Sequence, residues 1–159
     1  MELDLYQIDA FAEKVFEGNP AAVCPLDEWL PDDVMQKIAR ENNLSETAFF
    51  VSTKHGFKIR WFTPESEVDL CGHATLASAW VLFNILGCQK ERVVFDSRSG
   101  NLTVAREGAQ LVMDFPAQPP ESCDPPADME KAFGRPPIAC LKAADYLFVF
   151  ESRADIESI

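Results

Sequence analysis

Residues 70–88 read Leu70-Cys71-Gly72-His73-Ala74-Thr75-Leu76-Ala77-Ser78-Ala79-Trp80-Val81-Leu82-Phe83-Asn84-Ile85-Leu86-Gly87-Cys88, nineteen residues without Asp, Glu, Lys or Arg. By length alone this stretch could cross a bilayer. Its content argues for a core helix instead. Gly72, His73, Thr75, Ser78 and Asn84 interrupt the run, and only Leu76 to Leu86 is strongly apolar. Gly87 is a C-terminal stop signal, so a helix is expected over about 74–86. Apolar side chains stand on every face of that helix, Trp80 included. A helix without a polar face has to be surrounded by protein, which predicts burial all round.

What surrounds it is legible on both sides. Upstream, strands are expected at about 2–10 and 21–24, with Gly18-Asn19-Pro20 as the turn between them. Pro31-Asp32-Asp33 opens an amphipathic helix, about 31–42: proline and two acids suit a first helical turn, and Val34, Met35, Ile38 and Ala39 form one apolar stripe. Residues 47–53 and Phe57-Lys58-Ile59-Arg60-Trp61 read as the arms of a hairpin, the second with period-2 alternation. Downstream, strands are expected at 92–97, 101–106 and 110–115, with Ser99-Gly100 and Glu107-Gly108 between them. The fold class is therefore α+β: a mixed, mostly antiparallel sheet curled around one central apolar helix.

The composition then changes. Seven of the eleven prolines fall within residues 116–137, which reads as an irregular crossing. Beyond it Asp145 to Glu151 is a strong strand with no evident partner. Three segments are expected: a domain over 1–116, a proline-rich crossing over 117–137, and over 138–159 the start of a truncated second domain.

Lys+Arg is 14 against 26 for Asp+Glu, a net charge of −12 in 159 residues. That charge repels nucleic acid and anionic membranes, and neither is expected as a partner. The five cysteines have no zinc spacing, and two histidines are too few for a His-rich site, so no metal is expected. An odd cysteine count and an acidic N-terminus predict free thiols and a cytoplasmic location. An unfinished sheet invites self-association, so a homodimer is expected.

Three clusters at element boundaries could carry chemistry. Asn43-Leu44-Ser45-Glu46-Thr47 offers a carboxylate that could act as general base if held against apolar residues; otherwise Glu46 is a solvated loop residue. Asp69 to Thr75 enters the apolar helix. There the free N–H groups could bind an anion, Gly72 would permit close approach, His73 could shuttle a proton, and Cys71 would have its thiolate favoured by the helix dipole. Equally, Cys71 and His73 could be satisfied core residues. Asn19 could orient a carboxylate through its amide, or could serve a plain turn.

In order along the chain stand IDAF at 8–11, GNPAAV at 18–23, IARENNLSETAF at 38–49, RWFTP at 60–64 and LCGHATLASA at 70–79. Together these words resemble the phenazine biosynthesis-like PhzF family, within the diaminopimelate epimerase fold. The likeness runs from about residue 3 to 116. It implies two similar domains, each a sheet wrapped around a helix, with the active site between them. It implies cofactor-independent proton transfer on a small carboxylic acid, an isomerisation or epimerisation. Glu46 matches the family's acid/base; Asn19, Ser45, Gly72 and His73 match substrate-site positions. Cys71 stands where epimerases of this fold carry a catalytic thiol, so a Cys71-based epimerase remains an alternative. Family members are nearly twice as long and draw further site residues from their second half. Without that half the isomerase domain could be inactive alone, and a non-catalytic binding protein derived from the fold is the rival reading.

Overall fold

The computed structural model describes residues 2–14 and 16–159. In chain order the first part contains β1 (Tyr6–Ala10), β2 (Asn19–Leu26), α1 (Asp32–Asn42), β3 (Glu46–Ser52), β4 (Phe57–Phe62), β5 (Glu67–Val68), α2 (Gly72–Asn84), β6 (Arg92–Ser97), β7 (Gly100–Glu107) and β8 (Gln110–Asp114). Its strands form one sheet in the order β1-β2-β3-β4-β6-β7-β8, with β5 paired to β4. Only β2–β3 and β4–β6 run parallel; the other pairs are antiparallel, which makes this the mixed α+β sheet expected.

The two parallel pairs decide where the helices go. Each needs a crossover, and α1 supplies the first and α2 the second. β3 and β4 are antiparallel, so the two crossovers step the same way along the sheet with opposite strand directions. The right-handed rule then sends their helices to opposite faces. Packing agrees. Ala48 and Phe50 of β3 face α2, together with Ile59, Trp61, Phe95 and Leu102. Phe49 and Val51 face the other way, against Met35 and Ala39 of α1. Both faces of β3 are buried, which explains its nearly unbroken apolar run.

Helix α2 touches β1 and β8, the two ends of the sheet, as well as β2 and β3. The sheet therefore curls around it. The burial is not complete. His73 to Thr75, Ala77 to Ala79 and Val81 to Phe83 are enclosed, but Trp80 is 42% exposed, and Asn84, Ile85 and Leu86 are exposed. This corrects the expectation of a helix covered on every side. β1 and β8 are not hydrogen-bonded to one another, and Leu76 and Trp80 look into the cleft between them with Ile8, Ala10 and Leu111. The helix ends as expected: Gly87 takes φ 68°, and the N–H of Cys88 returns to the Leu82 carbonyl at 2.9 Å.

The chain divides into two compact units, Met1–Phe115 and Pro116–Ile159. The second holds β9 (Glu121–Ser122), α3 (Met129–Phe133), β10 (Ala139–Lys142), β11 (Tyr146–Val149) and α4 (Arg153–Glu157). The strand at 145–151, expected to lack a partner, pairs antiparallel with β10, which pairs with β9 in turn. Ala139-Cys140-Leu141-Lys142 is too short and too weakly patterned to announce itself, and the prolines before it hide the pairing. Phe133 of α3 packs edge-on against Phe148 and Phe150, so the proline-rich stretch contributes to the same unit as the tail. No helix among the described residues is long and apolar enough to cross a membrane.

Candidate active site

The parallel register of β2 on β3 pairs Ala21 with Glu46. Asn19 and Ser45 therefore sit at the same end of the sheet, and Ser45 Oγ donates to Asn19 Oδ1 at 3.4 Å. Helix α2 begins at this end. Its N-cap is Cys71, in extended conformation and without a side-chain capping bond. The first backbone bond of the helix runs from Thr75 N–H to the Cys71 carbonyl, 3.3 Å. The N–H groups of Gly72 and His73 precede it and have no partner within the helix.

Glu46 and His73 meet here. Glu46 Oε2 lies 3.2 Å from His73 Nε2, with side-chain exposures of 20% and 10%. Their alignment makes no hydrogen bond: both atoms are buried and unpartnered. Buried polar atoms are seldom left so. Here two face one another, one carboxylate oxygen and one ring nitrogen, each still without a hydrogen-bond partner. Cys71 Sγ lies 3.5 Å from His73 Nδ1 and is close to the Glu46 carboxylate as well.

Burial pushes the Cys71 thiol up to about 12; the Glu46 carboxylate pushes the same way and the Ala74 N–H opposes it. At neutral pH Cys71 is a protonated thiol. Gly72 is open rather than cramped: an added Cβ would stand 3.5 Å from Met113 Cε and 3.6 Å from the Phe115 ring. These are ordinary contact distances, so packing alone does not demand glycine here.

Glu46, Cys71 and His73 each offer one donor atom, all within 4.8 Å of one another. Oxygen, sulfur and nitrogen suit a borderline divalent ion such as zinc, provided the thiol gives up its proton. The sequence expectation of no metal did not foresee this grouping.

One contributor was not foreseen at all. Arg60, from RWFTP, forms a fork with Glu67 at 2.6 and 2.8 Å and reaches Asp32 at 2.8 Å. Arg98 joins Glu67 at 2.6 Å and Asp69 at 3.3 Å. The guanidinium of Arg60 lies over Phe62 and Trp29, and its bonds to the two carboxylates raise its affinity for its proton. This network ties α1, β4 and β5 to the segment that delivers Cys71, and so positions the start of α2. The signal was present, since Arg60 sits in one of the quoted words, but a charge in an exposed-looking strand position carries no role without its partners.

The family model for phenazine biosynthesis-like protein matches residues 8–134. A Pseudomonas aeruginosa protein named as an uncharacterized isomerase is 53% identical over 159 residues, which are 100% of this chain and 61% of the relative. A crystal structure of a phenazine biosynthesis protein of the PhzF family from Enterococcus faecalis superposes with TM-score 0.90 at 47% identity, covering 98% of this chain and 60% of that one. A phenazine biosynthesis PhzC/PhzF protein structure from Clostridium difficile gives TM-score 0.86 at 40% identity, over 99% and 61%. The chain thus spans about three-fifths of the length of the relatives it matches.

Proposed function

The chain belongs to the phenazine biosynthesis-like family, and from that premise we propose that it carries one wall of the active site of a cofactor-independent isomerase that moves a proton on a small carboxylic acid. The observation that supports this best is the unpartnered pair, Glu46 Oε2 facing His73 Nε2 at 3.2 Å. In this reading Glu46 takes a proton from a carbon next to a carbonyl or double bond and returns it elsewhere on the same skeleton. The N–H groups of Gly72 and His73, at the positive end of α2, hold the substrate's carboxylate. Asn19 and Ser45 orient its polar groups.

Cys71 acts through His73. Its thiol, protonated at neutral pH, donates to Nδ1, which leaves the proton of a neutral imidazole on Nε2 to donate to the substrate. The thiol-epimerase alternative needs a thiolate at Cys71, and burial opposes it. Free thiols throughout suit a cytoplasmic setting. The open edges of the sheet at β1 and β8 suit a homodimer.

Incorporation of deuterium from D2O into a panel of small unsaturated or carbonyl-bearing acids tests the reading. The parent should label at least one acid, and Glu46→Gln should lower the rate by about a hundredfold or more while the fold persists. Labelling by the variant at the parental rate would refute it. Acids that bind the parent tightly and are never labelled, even when the remaining two-fifths of the family's length is joined to it, would favour a binding protein.

A further inference from the structure

Cys123 and Cys140 bring two thiols together in the second unit, apart from every residue assigned a role above. Both are free, and their Sγ atoms lie 3.5 Å apart. The register of β9 on β10 pairs Lys142 with Glu121 and Leu141 with Ser122. Carried on by one residue, it sets Cys140 opposite Cys123, and the Cys123 N–H donates to the Cys140 carbonyl at 3.0 Å. Opposed, hydrogen-bonded residues of an antiparallel pair have Cα atoms about 5.5 Å apart, inside the span a disulfide accepts. The sulfurs have about 1.5 Å to close to reach the bonding distance of a disulfide.

The two thiols differ in access. Cys123 is half-buried, within reach of a small oxidant. Cys140 is 8% exposed. Its burial, and then its contact with Cys123, push its thiol up. One cysteine is placed to meet a reagent and the other to meet only its neighbour.

We propose that Cys123 and Cys140 form an oxidant-sensitive pair that closes to an intramolecular disulfide when a hydroperoxide reaches it. The Cys123 sulfur attacks a peroxide oxygen, the O–O bond breaks, and Cys123 becomes a sulfenic acid as one water leaves. The Cys140 sulfur then attacks the sulfenic sulfur, the S–O bond breaks, and its oxygen leaves as a second water. Two thiols lose two electrons and two protons, and hydrogen peroxide is reduced to two waters. The bond pins β9 to β10 and so ties the proline-rich stretch to the hairpin that follows it.

The intact chain is treated with limiting hydrogen peroxide, the remaining thiols are alkylated, and the product is digested with trypsin. Lys131 lies between the two cysteines, so the peptides 107–131 and 132–142 separate unless a disulfide joins them. The expected result is that linked pair, released by dithiothreitol, with alkylatable thiols falling from five to three. Cys140→Ser should abolish the link and leave Cys123 as a sulfenic acid that dimedone traps. The parent oxidised in guanidinium gives a second reading that needs no variant: the preference for the 123–140 link should vanish there. Links to other cysteines in equal yield from the native chain, or oxidised Cys123 accumulating unlinked in the parent, would overturn the proposal.

Discussion

At pH 8 a cysteine with an ordinary pKa of about 8.5 is roughly one-quarter thiolate. Cys71, pushed up to about 12, is ionised in only about one molecule in ten thousand, a deficit of about two-thousandfold. A more basic thiolate is also a better nucleophile. With a Brønsted slope of about 0.4–0.5, a gap of roughly 3.5 pKa units recovers about fortyfold. The net expectation is that Cys71 attacks a small disulfide about fiftyfold more slowly in the folded chain than in the unfolded one, and an exposure of only 7% slows it further. Timed reaction with dithiodipyridine at pH 8, with and without guanidinium and followed by peptide mass mapping, gives both rates. Cys24, buried and also pushed up to about 12, should show the same slowing in the same digest. If folded Cys71 reacts as fast as unfolded Cys71 while Cys24 is slowed, the site holds a reactive thiolate. The assignment of the proton chemistry to Glu46 then loses its physical basis.

Phe95 is fully buried against Phe50 and Phe57, so Phe95→Ala should cost about 3–5 kcal/mol in urea unfolding. Trp80→Ala should cost roughly half as much, because 42% of the residue is already exposed; equal losses would mean that the cleft between β1 and β8 is closed. Gly72→Ala should leave the melting temperature within about two degrees, since its methyl meets only ordinary contacts, yet weaken acid binding about tenfold or more. Unchanged binding would remove Gly72 from the substrate's path. Cys24 and Cys71 keep their protons when folded at pH values where unfolded thiols ionise. The unfolded state then binds fewer protons, and stability falls as pH rises from about 8.5 toward 12, at most about 1.4 kcal/mol per pH unit per thiol. The urea midpoint should drop between pH 8 and 10 and drop less in Cys24→Ala; a midpoint that holds or rises contradicts the burial of both thiols.

The parts of the fold legible in the sequence are those set by local pattern. Alternation in Phe57 to Trp61 marks a strand, an unbroken apolar run marks α2, and Pro31 with two acids marks the start of α1. What escaped depends on long-range closure. Trp80 looks core-like because every neighbour on its helix is apolar, but its exposure is decided by whether β1 and β8 meet, some hundred residues apart. Ala139 to Lys142 becomes a strand only because Tyr146 to Val149 lies beside it. The site divides the same way. Glu46, Cys71, Gly72 and His73 each stand at an element boundary that the pattern marks. That Glu46 and Cys71 both gather at His73 follows from the parallel β2–β3 register and from where α2 starts. Arg60 was hidden for the same reason, since its role exists only through Glu67 and Asp32.

A crystal structure of the chain with a small, non-reacting carboxylic acid bound tests the central claim most directly. The acid should lie against Glu46 Oε2 and His73 Nε2, its carboxylate should accept from the N–H groups of Gly72 and His73, and the carbon to be deprotonated should fall within about 3.5 Å of Glu46. An acid bound instead in the cleft beside Trp80, with Glu46 and His73 closed on each other in a direct hydrogen bond, would contradict the account.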